Sequence, residues 1–68
     1  MMKLYINGDS YIFEKTPLTI QDVMEDRDAY KRSAAVALNN QFVPKIRHAE
    51  IVLKENDRLE ILEAMQGG

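Results

Sequence analysis

The chain has 68 residues, 46% of them hydrophobic, with no cysteine, no tryptophan and a formal net charge of −2. A chain of this size forms one domain burying about 60% of its unfolded surface, so there is no room for a deep enclosed active site, and without cysteine it has no disulfide, thiolate metal site or thiol nucleophile. Nine Lys+Arg against eleven Asp+Glu lack the basic excess of a nucleic-acid binder, no apolar run approaches the roughly 20 residues of a membrane span, and Met1-Met2-Lys3-Leu4 opens a strand pattern rather than a signal segment, so the expected protein is cytoplasmic, with neither nucleic acid nor membrane as partner.

Apolar and polar residues alternate through Lys3-Leu4-Tyr5-Ile6-Asn7 and again through Ser10-Tyr11-Ile12-Phe13, the period of a strand. Asn7-Gly8 between them accepts the positive φ that a tight hairpin turn demands. A first hairpin follows, with Leu4 and Ile6 facing the core. The period then changes: Ile20, Val23 and Met24 recur at helical spacing, with Gln21, Asp22, Glu25 and Asp26 on the other side. Thr19 with Asp22 three residues on reads as an N-cap and capping box, Pro17 precedes the helix harmlessly, and the helix is expected to end near Arg27. Beyond it, Asp26-Arg27-Asp28-Ala29-Tyr30-Lys31-Arg32 reads as a last turn or a polar loop.

Ala34 to Leu38 and Gln41-Phe42-Val43 flank Asn39-Asn40, a second tight turn, because asparagine tolerates left-handed φ better than other non-glycine residues. Pro44 stops that strand, and Lys45 to Ala49 reads as a loop or short 3₁₀ turn. Ile51-Val52-Leu53 is a short apolar patch suited to a brief pairing or to plugging the core. After a turn at Glu55-Asn56-Asp57, alternation through Arg58-Leu59-Glu60-Ile61 marks the last strand. Two hairpins separated by one helix, then a final strand, make an α+β domain with a mostly antiparallel mixed sheet and the helix on one face.

Catalytic constellations are missing from this pattern. His48 is the single histidine and reads as a solvated loop residue, since a metal site needs further ligands at suitable spacing. Ser10 and Ser33 have no base nearby and read as turn residues. Gly8 alone cannot build a phosphate-cradling loop, and the charges at 26–28 and 31–32 read as a solvated surface. The exception is Gly67-Gly68. Read as a terminus, it is a backbone without Cβ atoms that carries a free α-carboxylate and takes whatever φ a narrow channel requires. The four residues from Met65 to Gly68 extend about 13–14 Å, enough to enter a partner's active site while the globule stays outside. An α-carboxyl with its ordinary pKa of about 3.3–3.7 is ionised and unreactive at neutral pH. Adenylation by ATP supplies a leaving group, after which a sulfur nucleophile yields a thiocarboxylate and an amine an isopeptide bond.

The runs Val36-Ala37-Leu38-Asn39-Asn40-Gln41-Phe42-Val43-Pro44 and Leu53 through Leu62, followed by Gly67-Gly68, closely resemble the ThiS sulfur-carrier proteins of thiamin biosynthesis, in the ubiquitin-like ThiS/MoaD-type superfamily. Asn40 and Asn56 stand where that family commonly has glycine, and Gln66 where it has smaller residues. The resemblance implies a single domain over residues 1–68 with a tail at 65–68, and a β-grasp fold in which a mixed sheet with the first and last strands paired at its centre wraps one main helix. It further implies that Gly68 is adenylated by an E1-like ThiF-type enzyme using MgATP, takes sulfur drawn from cysteine through a cysteine desulfurase system, and donates it to thiazole synthase. Gly67 would thread the tunnel behind it, and the chain would be a carrier rather than an enzyme, with no permanently bound cofactor. The molybdopterin synthase small subunit shares fold and tail but is generally longer. An interaction module or protein modifier of ubiquitin type is the alternative from another class. Any such partner must grip the globule too. Phe42 and Leu62, which break a clean polar-out alternation, are expected at that surface together with Gln66 of the tail, although both positions read equally well as core.

Overall fold

The computed structural model describes residues 1–32 and 34–63. Strand β1 (Met2–Ile6) turns into β2 (Asp9–Phe13), the helix α1 (Ile20–Asp26) follows, and after a 3₁₀ turn at Ala29–Arg32 come β3 (Ala35–Leu38) and β4 (Gln41–Val43). A second 3₁₀ turn at Lys45–Arg47 and an irregular stretch lead to β5 (Arg58–Leu62). The five strands form one sheet in the order β2-β1-β5-β3-β4. β1 and β5 run parallel at its centre and the other neighbours antiparallel.

Both hairpins close on asparagines in the left-handed region. Asn7 has φ 52° and Gly8 φ 90°, while Asn39 and Asn40 have 50° and 72°, the conformation that sends each strand back antiparallel to its partner. Asn56, in the turn before β5, has φ 69°. The same chemistry ends the helix: Arg27 is its C-cap, and Asp28 takes the left-handed position at φ 54° that glycine commonly fills. At the other end Thr19 Oγ1 accepts from the Asp22 N–H at 3.1 Å, and the Thr19 N–H donates to Asp22 Oδ2 at 2.9 Å, closing the expected capping box.

Alternation sorts the sheet into two faces. Leu4 and Ile6 of β1, Val36 of β3, Val43 of β4 and Leu59 and Ile61 of β5 point inward to meet Ile20, Val23 and Met24 of the helix. Leu53 plugs this core, and Val52 beside it forms a bridge with Thr19, so the apolar patch at 51–53 does both things its composition suggests.

Two expectations are corrected. His48 is not a solvated loop residue, for only 2% of it is exposed. The 3₁₀ turn begun by Pro44 carries the chain back under the helix, which directs His48 inward and leaves Ile46, the apolar residue of that turn, 89% exposed. The cost of burying an imidazole is met by two hydrogen bonds. His48 Nε2 lies 3.1 Å from the Val43 carbonyl, which can only accept, so Nε2 carries the proton and Nδ1 accepts from the Tyr30 hydroxyl at 2.6 Å. Ser10 is no turn residue either, since it lies within β2 opposite Tyr5. Ser33 falls outside the described residues.

Candidate functional site

The site is the end of β5 and the surface beside it. β5 is central, with β1 on one side and β3 on the other, and its backbone groups alternate between the two. Asp57 and Leu59 offer their carbonyls to the β1 side, accepting from the N–H groups of Tyr5 and Asn7 at 2.9 Å each. Arg58 faces β3: its carbonyl accepts from the Asn39 N–H at 2.8 Å and its N–H donates to Asn39 Oδ1 at 3.0 Å.

Ile61, by the same alternation, points its N–H and carbonyl toward a β1 that has already turned away at Asn7. The side chain of Asn7 fills the place: its Oδ1 accepts from the Ile61 N–H at 2.9 Å and its Nδ2 donates to the Ile61 carbonyl at 3.3 Å. Asparagines therefore bracket β5 at both ends. The sequence reading gave Asn7 the role of turn residue only. The one signal for more was the choice of an amide at a position where glycine or aspartate also satisfies the backbone.

On the outer sheet face, Leu62 lies opposite Ala35 and Phe42 opposite Ala37. Leu62 is 67% and Phe42 69% exposed, so neither belongs to the core. The two alanines between them are too short to cover either side chain, which leaves an apolar strip across β5, β3 and β4 at the exit of β5. The structure brings Phe42 and Leu62 to one face, while Gln66, Gly67 and Gly68 lie outside the described residues. Among the described residues, no group of three or more His, Asp or Glu is arranged to hold a metal ion, and no helix is long and apolar enough to cross a membrane.

A family model described as the ThiS family matches residues 4–68. The chain belongs to the ThiS family. That match takes in Gly67 and Gly68 as well as β1 from Leu4 onward and the other four strands. Among curated proteins, thiazole synthase of Paramagnetospirillum magneticum is 33% identical over 67 residues. The alignment takes in 98% of this chain but 20% of that protein, so the chain spans about a fifth of this relative's length. The sulfur carrier protein ThiS of Escherichia coli is 28% identical over 50 residues, 74% of this chain and 76% of that one. Among solved structures, the crystal structure of the thiamine biosynthesis protein ThiS of Geobacter metallireducens superposes with a TM-score of 0.81 at 22% identity, covering 98% of this chain and all of that one. An NMR structure of a thiamine biosynthesis protein from the same organism gives 0.81 at 25% identity, with 98% and 88% covered. The ThiS-family chain thus has the β-grasp fold, with the central pairing of first and last strands that the resemblance implied.

Proposed function

We propose that the chain is a sulfur carrier of thiamin biosynthesis, a protein substrate rather than an enzyme, whose reactive group is the carboxylate of Gly68. The observation that carries this reading is the family match running through Gly67-Gly68, on a fold whose central strand leads toward those glycines. The similarity to the sulfur carrier protein of Escherichia coli supports it. In the proposed sequence the Gly68 carboxylate attacks the α-phosphate of MgATP on an E1-like ThiF-type enzyme, and pyrophosphate leaves. A persulfide, loaded by a cysteine desulfurase system, displaces AMP to give an acyl disulfide. A second thiol of the enzyme side then cleaves the S–S bond, which releases the thiocarboxylate and leaves a disulfide behind. Gly67 threads the channel because a Cβ there would meet its walls.

Thiazole synthase is the proposed acceptor. A protein of that name carries a segment similar to 98% of this chain, and joining a donor to its acceptor raises their effective concentration. The strip formed by Phe42 and Leu62, with Gln66, is the proposed grip for these partners.

Intact-mass spectrometry tests the reading. Incubated with a ThiF-type enzyme, MgATP, a desulfurase and cysteine, the chain gains the mass difference between one sulfur and one oxygen, located at Gly68. Deleting Gly67 and Gly68 abolishes the gain. No gain in the intact chain overturns the proposal, and partner-dependent function that survives the deletion points instead to an interaction module.

A further inference from the structure

We propose that Asn7 is a positioning residue for the tail: its amide locks the end of β5 and so fixes the point from which residues 63–68 depart toward a partner. The inference rests on the carrier reading above for what the tail does, and on geometry for the lock. Ile61 carries a donor and an acceptor on the β1 side of β5, beyond the last residue of β1. Only a group offering both partners on one side chain satisfies the pair, and Asn7 does so with bonds of 2.9 and 3.3 Å across 54 residues of sequence. The position also requires a left-handed backbone, φ 52°, which glycine, asparagine and aspartate tolerate best. Glycine has no amide and aspartate no donor. Asparagine alone meets both demands.

The lock matters because β5 is otherwise held on one side only from Glu60 onward. β3 pairs with β5 as far as Leu62, whereas backbone pairing with β1 stops at Leu59. Without the amide, the end of β5 frays from the β1 side, and the tail departs from a less defined point. Leu62 keeps its pairing with Ala35 of β3 and Phe42 lies on β4, so in this proposal loss of the lock acts on threading and leaves docking in place.

The test compares wild type, Asn7→Gly and Asn7→Asp as full chains. Asn7→Gly keeps the turn conformation and removes the amide, while Asn7→Asp keeps the acceptor for the Ile61 N–H. Hydrogen exchange on the isolated chain reads the lock. In Asn7→Gly the Ile61 amide exchanges roughly fivefold to tenfold faster relative to Glu60 and Leu62, which face β3, and Asn7→Asp falls between. Activation by a ThiF-type enzyme reads the positioning: kcat falls severalfold in Asn7→Gly with KM nearly unchanged. Exchange that rises equally at Glu60, Ile61 and Leu62 shows Asn7 to be a general stabiliser and overturns the lock. A faster Ile61 with unchanged kcat overturns the positioning role alone. A wild-type chain that is not activated at all overturns the carrier reading, and the positioning role with it, whatever the exchange shows.

Discussion

His48 has no free ring nitrogen: one donates to Val43, the other accepts from Tyr30, and the Tyr30 ring lies against the imidazole with centroids 5.7 Å apart at 18°. Its carbonyl accepts from the Gln21 N–H at 3.0 Å, so one residue ties β4, the first 3₁₀ turn and the start of α1 together. Tyr30 is the donor in this arrangement and must keep its proton. Burial, with a smaller push from the Glu25 carboxylate, raises its pKa above the usual 10.0. The unfolded chain therefore gives up this proton before the folded one does, so the contribution of Tyr30 is complete below about pH 10 and declines as pH rises through its folded-state value. Tyr30→Phe strands the lone pair of His48 Nδ1 in a buried site, which costs about 1–3 kcal/mol, and it removes this part of the alkaline decline. Urea denaturation at pH 7 and at pH 9–11 measures both, and a Tyr30→Phe chain as stable as wild type at pH 7 contradicts the assignment. None of this was legible from one histidine in a polar stretch, because its partners lie 18 residues upstream and in the preceding strand. By contrast the asparagines of the turns were legible, since positive φ is a local demand met by a local residue type.

The helix has seven residues, too few to persist alone in water, where a dozen or more are needed. Its start is held by satisfying the N–H groups that no helical carbonyl can reach. Ile20 donates to the Ile51 carbonyl at 3.2 Å, Gln21 to His48, and Asp22 to Thr19 Oγ1. The capping box was legible because it depends on residues three apart. The carbonyls of His48 and Ile51 come from a segment that sequence alone leaves as an irregular loop, so their part in holding α1 was not. Thr19→Ala removes the Oγ1 acceptor and costs about 1 kcal/mol, which for a domain of this size lowers the melting temperature by about 4–8 °C. Asp22 adds a pH dependence of known sign. Its carboxylate is hydrogen-bonded first by Lys15, at 2.9 Å, and then by the Thr19 N–H, which together hold its pKa below the usual 3.8. A lowered folded-state value means stability that is present above pH 3.8 and lost as pH falls through the folded-state value. Asp22→Asn is therefore less stable than wild type at pH 7, and the gap narrows in acid. A gap that stays constant from pH 7 to pH 2 rules out the charge as its origin.

For the molecule as a whole, the absence of cysteine removes thiol chemistry from the side chains, and under the proposed carrier function the sulfur rides on the main-chain carboxylate of Gly68. A carrier without thiols has none to attack its own activated terminus. The same proposal accounts for the small size, since in it the chemistry belongs to cavities owned by partners. What the globule must supply is a tail and a grip. The alternation of β5 hinted at the grip but left Leu62 readable as either core or surface, because periodicity does not reveal whether a neighbouring strand covers a residue. Its partner Ala35 lies 27 positions away, and the pairing of β1 with β5 spans 53. Those contacts settle the placement: Leu62 stands exposed beside a residue too small to cover it. Leu62→Glu therefore costs the fold little, within about 0.5 kcal/mol as for other exposed substitutions, and leaves the melting temperature within about 4 °C of wild type. At a partner surface the same change buries a charge against apolar contacts, and central interface residues lose 2 kcal/mol or more on truncation, which amounts to roughly thirtyfold in binding. The expected result is a large rise in the KM of the ThiF-type enzyme for the chain, with kcat retained at saturation. Leu62→Lys gives the same rise, because apolar contact rather than the sign of a charge is what is lost. Unchanged KM in both variants removes Leu62 from the grip and moves the search to Phe42 at the far end of the strip.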